Sequence, residues 1–130
     1  METKFNFKSA ICTSRFQSER LLALGLKPET ADMCHFWHWE SDDYSRVCAS
    51  WEFAHRSNKD IPAWSLHRLI EMMPTTINNM LWFNATHYTA LYDSIDYIKS
   101  FEVKDNLYDN IIDCIEWLIK EGYFPKEYLI

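Results

Sequence analysis

The stretch from Ile61 to Pro74 constrains the fold more than any other part of the chain. A proline near each end limits a helix to the residues between them, because proline lacks a backbone donor and clashes with the preceding turn. Ser65 is placed to cap this helix, and Trp64 stands at the spacing of a hydrophobic staple with Leu69. The apolar face of so short a helix needs a cover, so we expect a sheet to pack against it.

Hydrophobic periodicity on either side of this helix predicts two further helices. Ser14 and Gln17 have the spacing of a capping box at the start of the first, and Gly25 follows its end. The last helix is capped by Asp105 or Asn106 and carries a continuous apolar stripe. Period-two patterns predict strands over Met33 to Trp39, Arg46 to Phe53, Asn79 to Phe83, His87 to Tyr92 and Ile95 to Val103.

These elements predict an α+β fold with the order α-β-β-α-β-β-β-α. We expect an antiparallel sheet of about five strands, a strand pair followed by a three-stranded meander, with about three helices covering one face. Polar turns are expected at Glu40 to Asp43, at Asn84 to Thr86 and at Asp93 to Ser94. With 130 residues, only 2 glycines and no linker, residues 1–130 are expected to form a single domain.

Composition excludes classes of function more readily than it identifies one. The net charge of −6, without a dense Lys/Arg run, argues against nucleic-acid binding. No apolar run is long enough for a membrane span or a signal peptide, so we expect a cytoplasmic protein with reduced cysteines and no membrane partner. With 2 glycines and no catalytic motif, a phosphate-cradling loop is not expected, and no cofactor is predicted.

A metal site is the sharpest chemical hypothesis that the residue pattern offers. In a strand, Cys34 and His38 share one face, and Cys48 could lie opposite them on the return strand. Thiolate and imidazole are preferred zinc ligands. The geometry is unfavourable for His35, which faces the other side, and the alternative is two thiols and a histidine on a half-buried sheet. A nucleophile–base pair of Cys48 with His38 or His55 is also conceivable.

Aromatic content of 16% is the one unusual feature of the composition. Large aromatic side chains form bulky cores, but tryptophan and tyrosine are also enriched in protein interfaces. An acidic ridge on the last helix is either a solvated face or a docking surface for a basic partner. The candidate interaction residues are the tryptophans Trp37, Trp39 and Trp51 and the acidic residues Asp109, Asp113 and Glu116.

Three phrases of the sequence resemble a family of small uncharacterised proteins from gut bacteria, often encoded in prophage or other mobile-element regions. They are L-L-A-L-G-L-K-P-E-T-A-D-M, I-P-A-W-S-L-H-R-L-I-E-M-M-P and D-N-L-Y-D-N-I-I-D-C-I-E-W-L-I-K-E-G-Y. The resemblance implies a Leu-rich helix, a strand pair, the P-x-W-S-L helix, a strand meander and an acidic-faced C-terminal helix. It also implies a cytoplasmic bacterial or phage setting. No activity is established for the family, so it transfers no site.

By elimination, the sequence predicts a non-catalytic interaction or accessory protein that binds a macromolecular partner, such as another protein, through its aromatic and acidic surface. One alternative is a small metal-binding or Cys/His-dependent enzyme centred on the strand from Cys34 to His38. Another is a small-ligand-binding domain with a pocket between the sheet and the helices. An unpaired edge of the Trp-rich strands would also allow a homodimer.

Overall fold

The computed structural model describes residues 10–47, 51, 55–78, 81–85, 90–93, 98–99 and 106–130. Within these residues the helices are α1 (Arg15–Ala23), α2 (Leu66–Met72) and α3 (Leu107–Glu121). The strands are β1 (Met33–His38), β2 (Asp43–Val47), β3 (Ile61–Ala63), β4 (Thr76–Ile77), β5 (Leu81–Ala85), β6 (Ala90–Asp93) and β7 (Ile98–Lys99). Short 3-10 turns follow α1 at Pro28–Thr30 and α3 at Lys126–Tyr128.

The strands pair in antiparallel fashion, as predicted, and the α+β class is confirmed, but the described strands form two sheets where one sheet of about five strands was expected. One sheet has the strand order β2-β1-β3, and the other has the order β4-β5-β6-β7. The short strands β3 and β4, on either side of α2, are additions to the predicted order. Strands of two or three residues leave no period-two pattern in a sequence, so only their pairing partners reveal them.

The predicted helix boundaries correspond to observed caps. Ser14 and Gln17 form the capping box of α1. The Ser65 hydroxyl accepts the backbone N–H of the third residue of α2 at 3.1 Å. Asn106 caps α3, and Gly122 ends it with a φ of 80°, a left-handed conformation that glycine adopts without strain.

Trp64 lies at the centre of the main hydrophobic core and is fully buried, as is Leu69. Its indole N–H donates to Thr30 Oγ1 at 3.0 Å. Its backbone N–H donates to Thr13 Oγ1 at 3.1 Å, and its carbonyl accepts the Thr13 N–H at 2.8 Å. The same core contains the fully buried side chains of Leu21, Leu26, Ile111, Ile112, Ile115 and Leu118.

The β1–β2 hairpin turns earlier than predicted, so the return strand is Asp43–Val47. Asp42, expected in the middle of the turn, has a φ of 54°, and this left-handed residue lets Asp43 pair at once with His38. The prediction that the return strand continues to Phe53 is wrong at Trp51. This residue lies in a helical turn, and its carbonyl accepts the backbone N–H of His55 at 3.2 Å. Residues 48–50 and 52–54 lie outside the described part.

In the second sheet the predicted turn at Asn84 and Ala85 is also wrong, because both residues continue β5 and pair with β6. Their polar and small side chains suggested a turn, but the backbone of Asn84 is paired with Leu91 across the sheet. The predicted third strand is represented by β7, and its remaining residues, like residues 79–80 and 86–89, lie outside the described part.

The C-terminal tail returns to the segment that follows α1. Leu26 and Leu129 form an isolated antiparallel bridge. The Lys27 N–H donates to the Tyr128 carbonyl at 2.9 Å. These bonds attach the tail to the segment after α1. They give hydrogen-bond partners to backbone groups that lie beyond the end of α3 and have no partner within the helix.

Replacing Trp64 with alanine is expected to lower the free energy of unfolding by about 3–5 kcal/mol, because the change leaves a cavity in the packed core. The matched control is Trp39→Ala, at a residue that is 65% exposed. That change should cost less than about 0.5 kcal/mol. Urea unfolding followed by circular dichroism measures both values, and a similar loss in the two variants would contradict the core position of Trp64.

Candidate functional site

An open cleft of about 480 Å³ lies at the C-terminal end of β1, between residues 36–41 and the loop 55–60. We call it the aromatic cleft. Trp39 is 65% exposed and Trp37 is half-buried. Their ring centroids are 6.0 Å apart and the rings are perpendicular, with an interplanar angle of 89°. Trp37 also makes an edge contact with Tyr44 of β2 at 4.8 Å, which holds its ring against the hairpin.

Two cationic side chains of the loop 55–60 lie over aromatic rings that line the cleft. The Lys59 ammonium nitrogen is 4.7 Å from the centroid of Trp37 and 4.7 Å from that of Trp39. The Arg56 guanidinium carbon is 5.5 Å from the centroid of Phe36. At these distances the negative face of an aromatic ring attracts a cation. The walls of the aromatic cleft therefore have the chemistry of a cation-binding site.

The carboxylate of Asp60 attaches the loop to β1. It accepts the backbone N–H of Trp37 at 2.7 Å, of Arg56 at 2.6 Å and of Ser57 at 3.0 Å. Asp60 is only 6% exposed. Burial by itself raises the pKa of a carboxyl group, but the three backbone hydrogen bonds outweigh it, and the pKa of Asp60 is lowered. Asp60 is therefore a charged anchor that sets the position of the loop over the cleft.

The indole N–H of Trp37 is buried and has no hydrogen-bond partner among the described residues. Most buried donors in folded proteins are paired. This unpaired donor belongs to a ring that lines the aromatic cleft. The wall of the cleft therefore contains a hydrogen-bond donor that is not paired with any of the described residues.

A second cleft, of about 420 Å³, lies between the start of α1 and the β1–β2 hairpin and contains His35, Cys12 and Arg46 among its lining residues. His35 is 7% exposed, and its Nε2 lies 2.8 Å from the Thr13 carbonyl oxygen. Burial lowers the pKa of His35, and nearby Arg46 and Arg15 lower it further against that hydrogen bond. Burial raises the pKa of Cys12. This cleft therefore places a protonated thiol near a neutral imidazole, which is not an activated nucleophile.

The predicted metal ligands occupy different environments. Cys34 is fully buried, and burial raises the pKa of its thiol to about 11. His38 is exposed, with its Nε2 2.5 Å from Ser45 Oγ. Cys48 lies outside the described residues. The part of the chain that the structure describes holds no group of three or more His, Cys, Asp or Glu side chains arranged for a metal ion. The Cys34–His38–Cys48 site stays a prediction.

Trp51 is separate from the aromatic cleft. Its ring stacks on His55 with the centroids 4.3 Å apart and an interplanar angle of 8°. Nδ1 of His55 contacts the Trp51 carbonyl oxygen. Trp51 is half-buried and packs against the main core, so its surroundings differ from those of the more exposed Trp39.

The three acidic candidates of α3 contact α1. Arg20 lies 2.6 Å from Asp113 and 2.9 Å from Glu116, measured between the nearest N and O atoms. Asp109 accepts a hydrogen bond from the Gln17 side chain at 3.0 Å. Partial burial disfavours the charged form of Arg20, but its bonds to the two carboxylates prevail and raise its pKa. These residues hold α1 and α3 together.

Sequence reasoning identified Trp37 and Trp39 but missed Lys59, Asp60 and Arg56, which lie in the loop before β3. No local pattern links a lysine to tryptophans that lie about twenty residues earlier in the chain, because the contact depends on the path taken by the loop. The polar run from Arg56 to Asp60 indicates a turn. The role of the Asp60 carboxylate appears only when the turn is seen against β1.

Comparison with protein-family models, with curated proteins and with solved structures found no match to this chain. Among the described residues, every helix is too short or too polar to cross a lipid bilayer.

Replacing Asp60 with asparagine is expected to lower the free energy of unfolding by about 1–3 kcal/mol at pH 7, since a backbone amide loses its charged acceptor. The folded-state pKa is lowered, so the carboxylate contributes its full stability above its unfolded pKa, near pH 4. That contribution is lost as the pH falls through the lower folded value. The difference between wild type and Asp60→Asn should therefore shrink below about pH 4.

Urea unfolding at pH 7, 5, 3 and 2 measures this difference. Glu40→Gln is the matched control, because Glu40 lines the same cleft but is exposed. It should change stability by less than about 0.5 kcal/mol. A destabilisation by Asp60→Asn that stays constant down to pH 2 would show that the hydrogen bonds do not depend on the charge of Asp60.

Proposed function

We propose that this protein is a non-catalytic interaction or accessory protein that binds a protein partner through the aromatic cleft. The observation that carries the proposal is the exposure of Trp39, at 65%, beside the half-buried Trp37 in an open cleft. Tryptophan is enriched among the residues that dominate binding energy in interfaces. An exposed tryptophan in contact with a partly buried one is the arrangement that such an interface needs.

The fixed position of Trp37 in the cleft also supports this function. Trp37 is held by Tyr44 and by the Asp60 contact to its backbone, so part of the surface is ordered before a partner binds. An ordered surface loses less conformational entropy on binding than a mobile one. The indole N–H of Trp37 has no hydrogen-bond partner among the described residues. If the cleft rearranges on binding, an acceptor group of the partner can pair with this donor.

The proposal rests on the aromatic part of the predicted surface and not on the acidic ridge. Asp109, Asp113 and Glu116 are in contact with Gln17 and Arg20 of the same chain. A partner would have to compete with these contacts in order to use the carboxylates.

We also propose that the protein acts in the cytoplasm of a bacterium and is encoded in a prophage or another mobile-element region. The three phrases that resemble the gut-bacterial family support this setting. The acidic composition, with a net charge of −6, favours a protein partner over a nucleic acid.

Affinity capture from a bacterial lysate tests the proposed function. Wild type, Trp39→Ala and Phe16→Ala are immobilised at equal density, and the bound proteins are quantified by mass spectrometry. Phe16 is the matched control because it is an exposed aromatic residue, 78% accessible, outside the cleft. At least one protein should bind wild type and Phe16→Ala equally and be reduced about tenfold or more by Trp39→Ala.

Sedimentation velocity of the same three proteins tests whether the partner is a second copy of the chain. A dimer that Trp39→Ala dissociates and Phe16→Ala leaves intact would support the same surface with a homodimer as its complex. Recovery of the same proteins by all three baits, together with the same sedimentation coefficient, would overturn the proposed function.

A further inference from the structure

The Lys59 ammonium group lies between two perpendicular indole rings and is held there by the rings. Its nitrogen is 4.7 Å from each centroid, and the rings meet at 89°. Two aromatic faces at right angles give a cation a favourable contact on two sides, the arrangement by which aromatic cages bind ammonium groups. Trp37 and Trp39 therefore already bind one lysine, which belongs to the same chain.

The backbone of Lys59 is anchored, but its side chain is exchangeable. The Tyr44 hydroxyl donates to the Lys59 carbonyl at 3.0 Å, and the next residue, Asp60, is bonded to β1. The Lys59 residue is exposed, and it takes part in none of the ion pairs of the described residues. Contacts of this kind at exposed sites are weak, so the ammonium group can leave the rings while the loop stays in place.

The net charge of the chain favours a cationic ligand. The cleft itself is lined by two carboxylates, Glu40 and Asp60, and by one cation, Arg56, and Asp60 is ionised at neutral pH because its pKa is lowered. The whole chain carries a net charge of −6. A positively charged partner is therefore attracted towards this protein, and a negatively charged one is repelled.

We propose that Trp37 and Trp39 form a binding site for a lysine side chain of the protein partner, and that Lys59 occupies this site in the free protein. This inference rests on the proposed function and names the partner's chemistry. When the partner's ammonium group enters, the Lys59 side chain moves into solvent. The partner's lysine then makes the cation contacts to both rings that Lys59 made before. Lys59 thus acts as an internal competitor that lowers the affinity for single lysines and favours partners with further contacts.

The test uses the full chain and two probes of nearly equal size, Nα-acetyl-lysine methylamide and the uncharged Nα-acetyl-norleucine methylamide. The proteins are wild type, Lys59→Ala, Lys59→Gln, Trp39→Ala and the control Lys120→Ala, whose lysine is exposed on α3. Binding is measured from the indole ¹H–¹⁵N chemical shifts of Trp37 and Trp39 in an NMR titration. The spectra also report whether each variant is folded.

We expect Lys59→Ala and Lys59→Gln to bind the lysine probe about fivefold more tightly than wild type, because the rings are free. Lys120→Ala should match wild type. Trp39→Ala should lose binding, and the norleucine probe should bind at least about fivefold more weakly than the lysine probe to every other protein. Equal binding of the two probes, or no gain in either Lys59 variant, would overturn the inference.

The two proposals fail in different ways. If Trp39→Ala loses the captured partner while the lysine probe does not bind the Lys59 variants, the interaction surface stands and the lysine site is wrong. In the second case, the probe binds as expected, but neither the captured proteins nor the sedimentation coefficient depends on Trp39. The proposed function is then wrong, and a lysine of a protein partner is not the occupant of the site. Tetramethylammonium is titrated as a third ligand, and binding more than tenfold tighter than that of the lysine probe would overturn the choice of a lysine in favour of a small quaternary ligand.

Discussion

The burial and hydrogen bonding of Trp64 support most of the described structure. Its ring is fully buried, its indole N–H bonds to Thr30, and its backbone bonds twice to Thr13. One residue thus ties the start of α1, the turn that follows α1 and the start of α2 to the same point. A large aromatic ring contributes more buried area than any other side chain, and its polar atom is satisfied. The neighbouring Ser65 adds two hydrogen bonds to the carboxylate of Asp32, at 2.8 Å from its N–H and 2.6 Å from its hydroxyl.

The same anchored passage of chain builds the aromatic cleft. β3 ends one residue before Trp64 and pairs with β1, so the core determines where β1 lies. Asp60 precedes β3 and bonds to the backbone of Trp37 in β1. The loop before β3 is therefore drawn across the end of β1, and Lys59 comes to lie over the tryptophans. The position of the cleft is thus a consequence of how the chain enters the core.

The buried thiols and the exposed rings of this protein have different chemical roles. Cys34, Cys12 and Cys114 are buried, and the pKa values of the first two are raised. Buried thiols of this kind pack as small apolar groups and do not supply a ready thiolate. The exposed end of β1 combines aromatic faces with cations and a fixed carboxylate, which is the chemistry of recognition. This contrast supports the proposal that the aromatic cleft binds a partner.

Local patterns sufficed for the helices, because a cap and an apolar stripe are properties of neighbouring residues. Ser14, Ser65 and Asn106 each cap the helix for which they were predicted. The hairpin was predicted less accurately. The left-handed conformation of Asp42 ends the turn earlier than predicted, and Trp51 lies in a helical turn and not in the predicted strand. The strands β3 and β4 are defined only by their partners. Of the candidate site, Trp37 and Trp39 followed from their position in an aromatic strand.

The sequence by itself thus determined the α+β class and the helix ends, and it named Trp37 and Trp39 among the candidate interaction residues. The tertiary structure alone decided that Arg20 binds the acidic ridge, that Asp60 holds the loop and that Lys59 fills the space between the two rings. The physical reason is the range of the interactions. Caps and periodic faces act over one or two turns of chain, whereas an ion pair or a cation over a ring joins residues that only the folded core brings within a few ångströms.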